Sequence, residues 1–296
     1  MTVAGLSLSK SGEVSNGGKG IDNIAQYLSP DGAVQATLYI YLPSYADASL
    51  AAYMTDKAIM ARFGSKTRRT AYASVPAGGR AGTAIRAVYD DAGDGALTTA
   101  AAFVHAGRWM VKLRVTGPSA RRKAVLAGLD GMLAALNFDE PATLHAAAPA
   151  RIAPCPAIES GDARLTDAAP VAPIASEIAP DDGRTPFCLR ETVLAADGAH
   201  DVLQQASAGA ARADGAIIVP VDDSGTVLAF DPAHGGPGYQ LSIHAIGQTD
   251  LYGVYDKVPS PRQIAAILDG KDPQTARAEA TADYAANGEV TLRRTR

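Results

Sequence analysis

Residues 139–184 constrain the fold of this chain more than any other stretch. Seven of its 18 prolines, Pro141, Pro149, Pro154, Pro156, Pro170, Pro173 and Pro180, fall there among alanines, with no sustained apolar period. Proline fixes φ and removes a backbone donor, so neither a helix nor a central strand runs through such a stretch. It reads as a semi-extended linker. Ile152, Ile158, Leu165 and Ile174 are apolar residues that a fully free linker does not need. The 296 residues therefore divide into an N-terminal domain at 1–138, a linker at 139–184 and a C-terminal domain at 185–296. Each domain is long enough to bury its own core.

In the N-terminal part, Ile21–Leu28 alternates and runs into the turn residues Ser29-Pro30-Asp31-Gly32. Ala36–Tyr41 is a strand rich in β-branched and aromatic residues, ended by Pro43. Asp47 or Ser49 caps a helix with Leu50, Tyr53, Met54, Ala58 and Ile59 as its apolar positions and Gly64 at its end. Four strand-like runs follow, Thr67–Val75, Gly82–Tyr89, Leu97–His105 and Trp109–Val115, separated by glycine-containing turns. Gly117-Pro118-Ser119 then opens a helix with Val125, Leu126, Leu129, Met132, Leu133 and Leu136 on one face. Trp109, the one tryptophan, is expected to anchor this core.

The C-terminal part shows strand-like runs at Leu189–Leu194, Ala216–Val221, Val227–Phe230, Tyr239–Ile246 and Leu251–Val258. Asp222-Asp223-Ser224-Gly225 and Gly247-Gln248-Thr249-Asp250 supply turns. Pro259-Ser260-Pro261 opens a short helix bearing Ile264, Ile267 and Leu268, and a further helix is expected over Pro273–Ala286. The fold class is α+β in two lobes, each a mainly antiparallel sheet packed with helices.

Composition excludes some functions. The chain is 47% apolar and 20% charged, which suits a globular protein, but only 6% aromatic, so its cores are light. A net charge of −4 argues against nucleic acid as a partner, since that binding needs a basic face. No apolar run approaches the length of a membrane span. Met1–Lys10 has no basic region followed by an apolar stretch. A removed leader would leave this kind of start, so periplasmic or secreted and cytoplasmic locations both stay open.

Cys155 and Cys188 bracket the proline-rich stretch. They are either a disulfide staple of an exported protein, worth roughly 3–4 kcal/mol in the chain-entropy account, or two unrelated thiols. Neither sits in a C-x-x-C pair.

Ala4-Gly5-Leu6, the Leu38–Tyr41 strand, and Trp109–Val115 followed by a long helix carry a resemblance over residues 1–138. In that order of elements the chain resembles the PsbP-like α/β/α sandwich, shared by photosystem accessory proteins and many bacterial exported proteins. It is also similar to exported bacterial proteins that begin in this way. The resemblance implies a non-enzymatic accessory or binding role outside the cytoplasm. No position matches a defined family site, so no functional residue is carried over.

Chemistry-bearing patterns are sparse. Gly12–Gly20 imitates a phosphate loop, but its lysine is one place late, Gly20 stands where Ser or Thr would hold magnesium, and no helix follows; a flexible loop is expected. Asp90, Asp91 and Asp94, like Asp222 and Asp223, have neither EF-hand spacing nor its bidentate glutamate. His105, His145, His200, His234 and His244 form no zinc-spaced pair, and His244, in a strand-like run, reads as a satisfied histidine. There is no G-x-S-x-G elbow. Lys66, Arg68 and Arg69, and Arg121, Arg122 and Lys123, form basic clusters, read as solvated faces or as sites for an anionic partner. No catalytic, cofactor-binding or metal-binding residue is assigned.

The leading expectation is therefore a non-catalytic binding or accessory protein of the bacterial envelope, with an unidentified protein or small-molecule partner held between its lobes. A component of a larger envelope assembly is a structural variant of that reading. The alternative is a hydrolase-type enzyme whose site assembles from separated residues, with His234, Asp231 and Cys188 as first candidates.

Overall fold

The computed structural model describes residues 1–15, 18–150, 152–156, 161–168, 187–207, 210–211, 215–233 and 237–295. These form two compact units. The first holds Met1–Leu42 and Ala46–Ala150; the second holds Pro43–Tyr45 with the described residues of 152–168 and 187–295. Among the described residues no helix is long and apolar enough to cross a membrane.

The first unit is built on one antiparallel sheet. Its strands are β1 (Thr2–Val3), β2 (Leu6–Glu13), β3 (Asp22–Leu28), β4 (Gln35–Tyr41), β5 (Arg68–Ala77), β6 (Arg80–Ala92), β7 (Leu97–Ala106) and β8 (Trp109–Pro118). Their order is β1-β2-β3-β4-β8-β7-β6-β5. Strand alternation sends successive side chains to opposite faces. Ala84, Val88, Ala100, Ala102, Leu113 and Val115 meet Val125, Leu129, Met132 and Leu133 of helix α2 (Arg122–Ala134). The intervening Ala87 and Tyr89 meet Ile59 of helix α1 (Ala48–Phe63). The two helices thus lie on opposite faces of the sheet. Asp47 caps α1, its carboxylate accepting from the amides of Ser49 at 2.8 Å and Leu50 at 3.0 Å.

Several expectations for this unit are corrected. Residues 12–13 belong to β2, paired Gly12 to Ile24 and Glu13 to Asn23, because the Leu-Ser-Leu-Ser alternation has a partner strand in β3. The glycines after it close a turn around Glu13, which accepts from the Gly20 amide at 2.6 Å; Asn16 and Gly17 lie outside the described residues. Gly117 and Pro118 end β8, and the helix starts only at Arg122 after a short 3-10 turn. Trp109 is half-buried and outside the principal core, which alanines, valines, leucines and Met132 fill instead.

Residues 141–150 form a strap across one end of the first sheet. The Gly107 amide donates to the Thr143 carbonyl at 2.8 Å, the His145 amide to His105 at 2.9 Å, and the Ala147 amide to Gly82 at 2.8 Å. Ser74 donates to the Ala147 carbonyl at 2.7 Å. Leu144 and Ala147 are buried, which is why a proline-interrupted stretch still holds a defined path.

The second unit has a ten-stranded sheet. Its strands are β9 (Ala153–Pro154), β10 (Phe187–Ala195), β11 (Gly198–Ser207), β12 (Ala210–Ala211), β13 (Ile217–Pro220), β14 (Val227–Pro232), β15 (Tyr239–Ala245), β16 (Gln248–Tyr255), β17 (Ala280–Tyr284) and β18 (Val290–Arg294). The order is β18-β17-β16-β15-β14-β13-β11-β10-β9, with β12 folded back on β11. All pairs are antiparallel except β9 with β10. Val193, Val202, Ile217, Val219, Phe230, Leu241 and Tyr255 share one core with Ile264 and Ile267 of helix α3 (Pro261–Leu268). Ser260 caps α3 in a reciprocal capping box with Gln263.

The expected helix over Pro273–Ala286 is corrected: Pro273–Thr275 is a single 3-10 turn and Ala280–Tyr284 is β17. Alanines carry no helical stripe of their own, whereas the alternate residues Ala280, Ala282 and Tyr284 are buried as a strand face. The turn expected at 247–250 sits two residues earlier. Ala245 pairs with Gln248, Gly247 adopts φ 67°, and β16 begins at Gln248.

Candidate functional site

His244 is a buried imidazole of the second unit, 2% exposed. It lies on β15 opposite Val227 of β14 and Thr249 of β16. Its Nδ1 is 3.2 Å from the hydroxyls of both Ser44 and Thr249, and its Nε2 is 2.9 Å from that of Ser242. Ser44 donates to the Gln248 carbonyl at 2.8 Å, and Thr249 donates to the Tyr284 hydroxyl at 3.3 Å. The Tyr45 ring meets the imidazole edge-on at 5.6 Å. Burial lowers the His244 pKa to about 4.

A serine beside a histidine invites comparison with nucleophilic catalysis, which needs an activated hydroxyl that substrate can reach. Here Ser44 is 6% exposed, Ser242 1% and His244 2%. The imidazole hydrogen bonds are all to hydroxyls, so no carboxylate orients it as a base. The arrangement satisfies a buried polar residue and fastens Pro43–Tyr45 to β15 and β16.

Other imidazoles are similarly committed. His200 Nε2 pairs with Asp197 at 2.8 Å, and its Nδ1 lies 3.4 Å from the Pro220 carbonyl. The hydrogen bond from His200 holds the Asp197 carboxyl below its ordinary range. In the first unit, His105 and His145 stack with ring centres 4.1 Å apart.

Under α1 lies a second polar cluster. Asp56 pairs with Arg69 at 3.0 Å, and the Arg69 guanidinium sits 4.3 Å from the centre of the Tyr72 ring. Burial first, and the Asp56 charge next, raise Tyr89 above the ordinary phenol range. Burial pushes Tyr72 up to about 12. Both phenols stay protonated donors at neutral pH, and the partly exposed Arg69 and Tyr72 give this cluster a surface.

The acidic turn and the basic clusters prove to be partners of one another. Arg122 reaches Asp90 at 2.9 Å, Arg68 reaches Asp91 at 2.8 Å, Lys66 reaches Asp94 at 3.5 Å, and Arg121 pairs with Asp31. Burial opposes the charge on Asp90, but hydrogen bonds from Arg122, Thr70 and Thr98 outweigh it and hold that carboxyl below its ordinary value. Asp222 serves its own turn, accepting from the Ser224 amide at 2.9 Å and the Thr226 amide at 3.1 Å. Among the described residues no three His, Cys, Asp or Glu side chains converge as metal ligands.

Of the three residues considered for a hydrolase, Cys188 is bonded to Cys155, with an S–S distance of 2.02 Å, so it has no thiol to offer. Asp231 lies on β14 opposite Gln240, and His234 lies outside the described residues. The disulfide ties β9 to β10 beside the pairs of Cys188 with Ala153 and Leu189 with Pro154. The Ser44 partner of His244 and the tyrosines around Asp56 were missed in the sequence. The one available signal was an isolated Ser-x-His pair at 242 and 244, which strand alternation places on one face.

No protein-family model, no curated protein and no solved structure matches this chain.

Proposed function

We propose that this chain is a non-catalytic binding or accessory protein that works in an oxidising compartment, the bacterial envelope or outside the cell. The observation that carries the proposal is the disulfide between Cys155 and Cys188, the only two cysteines of the chain. Stable disulfides belong to oxidising compartments, whereas reducing cytosol keeps such thiols free. The buried imidazole of His244 and the buried phenol of Tyr89 are neutral groups in structural settings, which supports binding over turnover. The PsbP-like likeness of residues 1–138 belongs to the same proposal and points to an accessory role.

Native mass spectrometry on protein purified gently from its own source tests it. The expected result is a chain two hydrogens lighter than the reduced form, carrying extra mass that leaves on denaturation. A fully reduced chain recovered from cytosol would overturn the compartment, and turnover of a small-molecule substrate by the bare chain would overturn the non-catalytic role.

A further inference from the structure

The strap at 141–150 is fastened at its middle by two imidazoles. His105, on β7, is 4% exposed, and its Nε2 is buried with no hydrogen-bond partner. His145, on the strap, stacks over it with 23° between ring planes and donates from Nε2 to the Gly107 carbonyl at 3.2 Å. Around this pair Leu144 of the strap bridges to Ala106, and Arg80 of β6 donates to the Pro141 carbonyl at 2.6 Å. The Leu144 and Phe138 side chains crowd Gly78, each 2.8 Å from where a Cβ would stand.

We infer that the strap is an acid-sensitive latch, and that protonating His105 beneath the stacked His145 ring releases it and uncovers the apolar surface beneath Leu144 and Ala147. Neutral imidazoles stack; two imidazolium rings at this spacing repel, and a proton on the buried Nε2 finds no acceptor. Burial first, then the charge of His145, lowers His105 to about 4, with the Gly107 carbonyl acting the other way. The other charged or titratable groups on the strands and α-helices packed against β7 are Arg80, Arg86, Tyr89, Asp90 and Asp91 on β6, Lys112 and Arg114 on β8, Tyr53, Asp56, Lys57 and Arg62 on α1, and Arg122, Lys123 and Asp130 on α2. None of them contributes a resolved effect on His105.

The sign follows from linkage. An open strap frees His105 to titrate near 6.5, so opening takes up a proton as pH falls below that value. One proton approaches tenfold in the opening constant per pH unit well below 6.5, and gives about 15-fold between pH 6.5 and 5.

Amide hydrogen exchange on the intact chain reads this directly. The amides that hold the strap are those of His145 and Ala147 on it and of Gly107 opposite Thr143; Leu38 and Leu113, paired in the centre of the same sheet, report opening of the whole unit. After correction for intrinsic exchange, the strap amides should open about 15-fold more often at pH 5 than at 6.5 while the central amides do not. In His105→Phe, which keeps a stacked ring and removes the proton site, the strap response should become flat; His105→Gln serves if that variant does not fold. Strap amides that follow the central ones in the wild-type chain would overturn the inference without any variant. An undiminished pH response in a folded His105 variant would overturn it as well.

Discussion

Ser44 and His244, 200 residues apart in sequence, lie side by side in the second unit, with the serine hydroxyl 3.2 Å from the imidazole Nδ1. The same hydroxyl donates to the Gln248 carbonyl. One small side chain thereby satisfies two buried groups and holds a three-residue excursion of the chain in place.

Ser44→Ala removes both contacts, while Thr249 still faces Nδ1. The expected loss is about 1–2 kcal/mol, the range for leaving buried polar groups unsatisfied. Urea unfolding at pH 7 measures it, and an unchanged midpoint would remove Ser44 from the account.

The acid response of the second unit has a definite window. Folded His244 titrates near 4 and an unfolded histidine near 6.5, so the unfolded chain binds more protons between these values. Stability is therefore level above about pH 6.5, falls as pH drops toward 4, and loses about 3 kcal/mol over the window from this residue. Urea midpoints at pH 7, 5.5 and 4.5 should decline in order, and a stability that rose toward pH 4.5 would contradict the burial.

Reduction should act through the unfolded chain. Closing a segment with a sequence separation of 33 is worth about 3–4 kcal/mol in the chain-entropy account. The Cys155→Ser, Cys188→Ser double variant is expected to unfold at correspondingly lower denaturant, and the wild-type chain with a strong reductant should match it.

Gly238 is irreplaceable for a local reason. It adopts φ 112°, and a Cβ there would collide with the Tyr255 carbonyl oxygen. Gly238→Ala should cost about 2 kcal/mol or more through backbone strain and displacement of the Tyr239–Tyr255 strand pair. A thermal melt within a degree of wild type would refute the crowding.

Legibility in the sequence followed the strength of local pattern. The Ala36–Tyr41 strand, the Val125–Leu133 helix face and the helix start at Pro259-Ser260-Pro261 each carry their signal within a few residues, and the structure places strand and helices there. β11 and β17 were missed because Gln204, Gln205 and the alanines of 280–285 give no marked alternation; neighbouring strands supply the pairing that makes them strands. Trp109 misled because size suggested an anchor, whereas the first core closes with alanine and valine. Of the His244 cluster only His244 itself was legible, as a satisfied histidine in a strand-like run, although Ser242 stands two residues before it. Its partners Ser44 and Thr249 are brought in by tertiary structure, to which no local pattern refers.

The Cys155–Cys188 bond also changes what a protease can do to this chain. A cut at any single peptide bond between those two residues leaves the fragments joined through sulfur. Such a nicked molecule would migrate as one full-length species under non-reducing electrophoresis and as two pieces once reduced. The chain therefore stays one covalent molecule when its backbone is broken anywhere between the two cysteines.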